Sequence, residues 1–462
     1  MLTLTQNATL IVKEIADQSG GTEGSGLRIT AEPGPEAGLS VTTAETAEPG
    51  DAVLEQDGAT VYLDQDAATM LDDKVLDAAV DESGRVEFAL GVQGCPSPHR
   101  RCRRAAPQDL RPTGPRGLVD PLAGSGAMST RTREIHLARR PVGRPVPEDF
   151  SLSEVELPAP GPGQVLVRNT VLSVDPYMRG RMNVTESYVE PYALGAPMEG
   201  GAVGEVVASE DASLAVGDVV THMAGWREHA LLDASEARRV DASRVPASAY
   251  LSVLGMPGLT AYVGLTRIGR LAEGEVVHVS GAAGAVGSLV GQMAKLLGAS
   301  HVTGSAGSAE KVAWLTDELG FDAAYDYRDG DLVGQLGTAL GERRIDVYFD
   351  NVGGDHLEAA IEHMADFGRI AACGAIATYD ATEPPPGPRN LTRVVQRRLS
   401  MTGFIVSDHR DAASEFYRTV GGWLAEGRLV ARETYVDGLD RAVEAFLGLG
   451  TGGNTGKMLV RL

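Results

Sequence analysis

Apolar and polar positions alternate along this chain in three different regimes. Over residues 1–94, short apolar runs are separated by Gly, Pro and acidic turns. Gly26-Leu-Arg-Ile-Thr, Leu39-Ser-Val-Thr and Thr60-Val-Tyr-Leu-Asp carry the period of two expected of half-buried strands, and Val86-Glu-Phe-Ala-Leu predicts a last one. Thr9-Leu-Ile-Val-Lys-Glu-Ile predicts a short helix. Ala67, Met70, Leu71 and Val75 share one helical face, which predicts a helix across 67–75. These elements describe a small α+β domain.

Residues 95–127 have no periodicity and are rich in Pro, Arg and Gly. Such a stretch buries too little apolar surface to offset chain entropy, so a disordered linker is predicted. From Met128 the pattern changes again. Strand-like pieces such as Gln164-Val-Leu-Val-Arg and Gly201-Ala-Val-Gly-Glu-Val-Val run between Gly/Pro turns to about residue 250. Strands and helices then alternate, beginning with Glu275-Val-Val-His-Val-Ser and Ser288 to Leu297, the signature of a doubly wound parallel sheet. The end, Asn454-Thr-Gly-Lys-Met-Leu-Val-Arg-Leu, is strand-like and can return to the first β region. The expected organisation is a small domain (1–94), a linker (95–127), a β-rich substrate domain (128–258, joined by 434–462) and a nucleotide domain (259–433).

Composition narrows the function classes. The 462 residues are 43% apolar, enough for globular cores. No apolar run is long enough to span a membrane, and Met1-Leu-Thr-Leu-Thr-Gln lacks the charged and apolar regions of a signal peptide. With three cysteines (Cys95, Cys102 and Cys373) there is no disulfide framework, and a cytoplasmic location is expected. The net charge of −22 leaves no basic segment of domain size, which disfavours nucleic acid and anionic membrane as partners.

The strongest local motif is Val276-Val-His-Val-Ser-Gly-Ala-Ala-Gly-Ala-Val-Gly-Ser. An apolar strand ends in a tight turn and a helix starts near Gly284. Val286, Leu289, Val290, Met293, Leu296 and Leu297 fall on one face of that helix. Gly284 allows backbone to approach a pyrophosphate, and Gly287 allows close helix–strand packing. The helix start offers unpaired N–H groups and a positive dipole end. Ala282 stands where the first glycine of G-x-G-x-x-G is usual. No carboxylate follows the second strand at Gly304-Ser305, where an NAD site would place one. Ser305, Ser308, Lys311 and Arg328 suit a 2′-phosphate instead, which points to NADPH. The alternative for Lys311 is a solvated helix residue.

Metal-ligand sets are missing. Cys95, Cys102 and His99 lack a fourth ligand and sit among arginines. Residues 128–462 hold one cysteine, Cys373, inside the apolar strand Arg369-Ile-Ala-Ala-Cys-Gly. Hydride transfer without a Lewis acid favours a substrate that is already polarised. A conjugated carbonyl accepts hydride at its β-carbon, and a phenol or hydroxyl can stabilise the developing enolate oxygen.

Several segments carry a family resemblance: Val174-Asp-Pro-Tyr-Met-Arg-Gly-Arg-Met, Gly255-Met-Pro-Gly-Leu-Thr-Ala-Tyr, Gly281-Ala-Ala-Gly-Ala-Val-Gly-Ser, Asp350-Asn-Val-Gly-Gly and Met401-Thr-Gly-Phe-Ile-Val. They resemble the zinc-free branch of the medium-chain dehydrogenase/reductases that contains prostaglandin, alkenal and curcumin reductases. The resemblance spans essentially all of 130–462. It implies a GroES-like β domain, a Rossmann domain, NADPH, an enone or enal substrate and a homodimer. It also implies site residues. The pyrophosphate falls on Gly284, Ala285, Val286 and Gly287, and the adenosine phosphate end on Lys311 and Tyr327. Asn351 meets the cofactor near the fourth strand. Cys373, Gly374, Ala375, Ile376, Ala377, Thr378 and Tyr379 line the nicotinamide and its ribose. Phe404, Ile405 and Val406 flank the nicotinamide amide, and Asn454 closes over the cofactor. Tyr379 is the hydroxyl near the reacting carbonyl, its alternative being a ribose contact alone. Tyr177 is a wall of the substrate pocket or a packed core tyrosine. The loop from Glu186 to Pro197 is expected to set substrate choice.

Residues 1–94 resemble a second family, the A-type (HesB-like) iron–sulfur carriers, through Met1-Leu-Thr-Leu-Thr, Ser25-Gly-Leu-Arg-Ile and Val61-Tyr-Leu-Asp with Leu71-Asp-Asp-Lys-Val-Leu-Asp. That family ligates its cluster through cysteines, and 1–94 has none, so the resemblance implies fold and not cluster chemistry. The expected activity is therefore NADPH-dependent reduction of an enone or enal. A quinone reductase and a catalytically silent nucleotide-binding protein are the alternatives.

Overall fold

The computed structural model describes residues 2–5, 8, 9, 12, 13, 26–32, 38–44, 46–56, 59–71, 74–80, 86–92, 129–185 and 187–462. The predicted linker 95–127, with its Cys95, His99 and Cys102, and most of the helix expected at 9–15 lie outside the described residues. The chain forms two compact units, Met1–Pro121 and Leu122–Leu462.

In the first unit, strands β1 (Thr3–Leu4), β2 (Gly26–Glu32), β3 (Gly38–Ala44), β4 (Ala52–Gln56) and β5 (Ala59–Leu63) precede helix α1 (Gln65–Met70), and β6 (Lys74–Val80) and β7 (Val86–Val92) follow it. One sheet has the order β3-β2-β5-β4 and the other β1-β6-β7. Leu27, Ile29, Val61, Leu63, Ala67 and Leu71 are buried between these elements. The Asp64 carboxylate caps α1 by accepting from Ala67 N at 2.7 Å. The helix predicted across 67–75 is shorter than its periodicity implied. It stops at Met70, and Val75 pairs with Thr3 as part of β6. Tertiary pairing with β1 overrides a helical pattern only two turns long.

The second unit begins with β8 (Thr130–Leu137) and β9 (Phe150–Leu157), which pair with each other. Next come β10 (Gln164–Ser173), the short helix α2 (Met178–Arg181), β11 (Ala202–Ser209), β12 (Val219–His222), β13 (His229–Asp233) and β14 (Arg238–Arg239). After helix α3 (Met256–Val263) the chain alternates: β15 (Val276–Val279), α4 (Gly287–Leu296), β16 (His301–Ala306), α5 (Ala309–Asp317), β17 (Ala323–Asp326), α6 (Leu332–Leu340), β18 (Ile345–Asp350), α7 (Gly354–His363), β19 (Met364–Ala372), α8 (Thr392–Arg397) and β20 (Ser400–Gly403). It closes with α9 (Ala413–Ala425), β21 (Glu433–Asp437), α10 (Ala442–Leu449) and β22 (Lys457–Arg461).

The alternating stretch forms a parallel sheet of order β17-β16-β15-β18-β19-β20, the dinucleotide-binding order. Buried Val277, Val279, Val347 and Phe349 place its core between helices on both faces. The other large sheet has the order β14-β12-β11-β10-β22-β21, with β13 also on β10. The C-terminal strand β22 pairs antiparallel with β10, at Val171↔Arg461 through Ser173↔Leu459. The pairing brings the segment before β22 back across the first turn of the parallel sheet, where Gly456 N donates to Ala283 O at 2.8 Å.

Candidate active site

Ligands of a doubly wound sheet bind in the crevice beyond the carboxyl ends of its strands, where the strand order reverses. Here that point lies between β15 and β16 on one side and β18 on the other. The turn after β15 is built for close approach. A Cβ on Gly287 would stand 2.5 Å from Gly281 O and 2.8 Å from the Ala282 Cα, so only glycine lets α4 start this close to the strand. The regular helix begins at Gly287, three residues later than the sequence pattern suggested, which leaves Gly284, Ala285 and Val286 as an open turn. A Cβ on Gly284 would meet only Gly281 O, at 3.3 Å, so its outer side is free for a ligand. Ala282, the departure from the glycine motif, is fully buried. Gly304 on β16 makes room for it: a Cβ there would stand 2.7 Å from the Ala282 methyl.

The floor of the crevice is tied together by Asp350, at the end of β18. Its Oδ1 accepts from Ser280 Oγ (3.1 Å), Tyr348 OH (2.7 Å), Val352 N (3.0 Å) and Gly353 N (2.9 Å). Asn351 reaches back across the strands, with Nδ2 donating to Ser280 O at 2.8 Å. Asn454 donates to Gly456 O at 2.7 Å, beside the bridge between Gly456 and Gly284. Asn351 is thus tied to the strand end before the Gly284 turn, and Asn454 to the segment bridged to Gly284.

Beyond the end of β16, α5 starts with Ser308, whose hydroxyl accepts from Lys311 N at 3.3 Å. Lys311 Nζ donates to Gly452 O at 2.7 Å, and Arg328 to Thr451 O at 3.0 Å. A Cβ on Gly452 would stand 3.4 Å from Lys311 Nζ and 3.6 Å from an Arg328 guanidinium nitrogen. Two cations therefore converge, and among the described residues no carboxylate forms an ion pair with either. Burial, and then the Arg328 charge, hold the Lys311 pKa below its ordinary value. The Tyr327 hydroxyl lies close to Gly307, next to Ser308: a Cβ on that glycine would stand 2.8 Å from it. This group of side chains fits a 2′-phosphate, and no acidic residue faces it in the position an NAD site requires.

A groove of about 630 Å³ opens between the ends of β18, β19 and β20. Its lining includes Cys373, Gly374, Ala375, Tyr379, Phe404 and Ile405. Ile376, Ala377, Thr378 and Val406 fall in the same two loops but outside that lining. Cys373 was expected inside a strand. It stands one residue past β19: Cys373 N makes the last ladder bond to Asp350 O at 2.9 Å, and Gly374 N turns to share that acceptor at 3.1 Å. Burial, and then Asp350, push its thiol up to about 12, which keeps it protonated. Tyr379 folds back over the same turn. Its hydroxyl accepts from Ala375 N at 3.4 Å, and a Cβ on Gly374 would stand 3.2 Å from it. Burial is the main cause of its raised pKa.

Tyr177 stands at the start of α2, on a second cavity of about 350 Å³ that also involves His222, Tyr250, Met256 and Tyr417. Burial, and then Asp175, hold its phenol well above the ordinary range. Tyr188, which the sequence reading did not single out, links the two tyrosines. It is close enough to Cys373 for electrostatic interaction, and it adds to the raised pKa of both Tyr177 and Tyr379. The one available signal was an aromatic residue inside the loop expected to set substrate choice.

Among the described residues, no three His, Cys, Asp or Glu converge on a point where a metal ion could sit. Nor is any helix among them long and apolar enough to cross a membrane.

Comparison with known proteins fits this geometry. Residues 133–240 match the family model described as the N-terminal domain of oxidoreductase, and residues 285–423 the one described as zinc-binding dehydrogenase. The chain is 47% identical to YfmJ of Bacillus subtilis (strain 168), over 72% of this chain and 99% of that protein. It is 41% identical to the NADPH-dependent curcumin reductase of Escherichia coli (strain K12), over 73% and 99%. The crystal structure of CurA in complex with NADPH from Vibrio vulnificus superposes with a TM-score of 0.68 at 41% identity, covering 71% of this chain and 98% of that one.

Proposed function

Because this chain belongs to the medium-chain dehydrogenase/reductases, in the branch of the curcumin, 2-alkenal and prostaglandin reductases, we propose that it reduces the carbon–carbon double bond of an α,β-unsaturated ketone or aldehyde with NADPH. The observation that carries this reading is the phenol of Tyr379 on the wall of the groove beyond the carboxyl ends of β18, β19 and β20, beside the switch point of the parallel sheet. Bound NADPH supplies the hydride that the substrate β-carbon accepts. The chain's own groups do the rest. Gly284 to Gly287 seat the pyrophosphate on the α4 N-terminus, and Lys311 with Arg328 hold the 2′-phosphate. Asn351 and Asn454 flank the dinucleotide. Cys373 to Tyr379 and Phe404 to Val406 wall the nicotinamide end. The Tyr379 hydroxyl already accepts from Ala375 N, so its own proton is free to be donated to the carbonyl oxygen as enolate charge develops there. Its raised pKa keeps that proton in place at neutral pH. Tyr177 and Tyr188 bound the space the substrate enters. Following NADPH oxidation with a 2-alkenal and with a quinone tests the reading; turnover of the quinone alone would replace it with quinone reduction.

We further propose that the reaction needs no metal, despite the zinc-binding description attached to one matching family model. The support is the absence of any converging donor set among the described residues. Activity is expected to be unchanged after prolonged treatment with a strong chelator, and elemental analysis is expected to find no stoichiometric zinc. Loss of activity on chelation, restored by zinc, would overturn this.

The catalytic unit is proposed to begin near Met128 and to act as a homodimer. Both family models match residues after Met128, and the relatives are covered almost completely by about 72% of this chain. Among the described residues the edge strand β20 pairs only with β19; it exposes all four of its residues and leaves Met401 58% exposed. Such an edge is suited to pairing with a second copy. The chain starting at Met128 is expected to sediment as a dimer and to keep its kcat/KM for an enone within about tenfold, since linked domains usually fold independently. A larger loss, or a monomer, would make residues 1–127 a working part of the enzyme.

A further inference from the structure

The two tyrosine-bearing loops are joined by one ion pair. Arg179 lies on α2, two residues after Tyr177, and is 5% exposed. All three of its guanidinium nitrogens are engaged. Nε donates to Asp380 Oδ1 at 3.1 Å, one terminal nitrogen to Asn183 Oδ1 at 2.8 Å, and the other to Gly143 O at 2.7 Å. Asp380 directly follows Tyr379. Its side chain is 42% exposed, and residues 381–387 after it are all exposed. Little else holds this loop to the α2 side: a Cβ on Gly143 would stand 3.4 Å from the Thr382 methyl and 3.7 Å from Asp380 O. The buried guanidinium is fixed from three directions, whereas the carboxylate sits on an otherwise exposed segment. Arg179 is thus the anchor and Asp380 the group that is held.

We propose that Asp380 is a positioning residue for the reduction: through Arg179 it sets where the Tyr379 phenol stands relative to α2. This rests on the reading of Tyr379 as the group that meets the substrate carbonyl. Misplacing a catalytic group by about 1 Å costs up to ~100-fold in rate. Tyr379 keeps its own hydrogen bond to Ala375 N, so a smaller loss is expected when Asp380 is removed.

The experiment compares Asp380→Ala and Asp380→Asn in the full chain, using a 2-alkenal and NADPH. The alanine variant is expected to lose about tenfold in kcat with NADPH affinity unchanged, and to melt somewhat lower because the buried Arg179 guanidinium loses its carboxylate partner. The asparagine variant keeps an oxygen for Arg179 Nε and is expected to stay within about twofold of the parent. In a Tyr379→Phe background, Asp380→Ala is expected to cost nothing further, since the two residues act as one unit. Wild-type kcat in Asp380→Ala would overturn the proposal, as would a full additional loss in the double variant. If Tyr379→Phe alone turns over normally, the reading of Tyr379 fails instead, independently of Asp380.

Discussion

Replacing Tyr379 by phenylalanine is expected to lower kcat by about 100-fold or more while leaving NADPH affinity intact, the usual cost of removing a donor aimed at a developing oxyanion. The lost atom is small, and the ring remains to wall the groove, so cofactor binding has little reason to change. The Ala375 N–H that the hydroxyl now accepts from sits at 3.4 Å, a long contact whose loss costs little. Residual turnover is expected because a proton can reach the enolate from water. Measuring kcat and the NADPH dissociation constant side by side separates this role from a ribose contact. A ribose contact would weaken NADPH and spare kcat. If both parameters stay near the parent values, the donor is another group, and Tyr177 and Tyr188 are the next phenols to replace.

Much of this arrangement could be read along the chain because its causes are local. The apolar run Val276–Val279, the turn after it and the apolar face of α4 lie within about twenty residues of one another, and each follows from period and steric allowance. Leu289, Val290 and Met293 are all buried, as one face of that helix requires. The parallel sheet followed from the alternation of strand and helix, and its order places the expected cofactor residues on the carboxyl ends of successive strands. Two readings failed where longer-range pairing decided the outcome. Val75 continues a helical face in sequence but is taken into β6 by β1. Cys373 continues an apolar strand in sequence but falls one residue past it, where Gly374 N turns to share the Asp350 carbonyl with the last ladder bond.

What stayed hidden depends on residues far apart in the chain. Nothing near Ala282 indicates that Gly304 supplies the space its methyl needs. Nothing near Tyr379 indicates that the next residue is held by Arg179, 201 positions earlier. Tyr188 sits in a loop, where no periodicity fixes the direction of a side chain. Thr451 and Gly452 act here through their backbone carbonyls, and only the fold shows these resting on Arg328 and Lys311.

Those carbonyl contacts frame the second large effect. Lys311→Ala is expected to lower the preference for NADPH over NADH by roughly 10- to 150-fold, the equivalent of about 1.5–3 kcal/mol for a charge-assisted contact. A lysine in the first turn of a helix opposes the helix dipole, and a neighbouring arginine opposes it further. Two such cations whose side chains, among the described residues, hydrogen-bond to backbone carbonyls form an electrostatic site that an anion completes. NADH carries no group to place there, so its kcat/KM should change little. The same crowding gives a pH dependence. The Lys311 pKa is depressed, chiefly by burial, so its charge is lost at a lower pH than that of a solvated lysine, and the preference for NADPH should fall as pH rises through that point. The Arg328 guanidinium sets the preference that remains. The check is kcat/KM for both cofactors, in the parent and in Lys311→Ala, across alkaline pH. An unchanged ratio in the variant would remove Lys311 from the phosphate site and leave Arg328 as the cation to replace next.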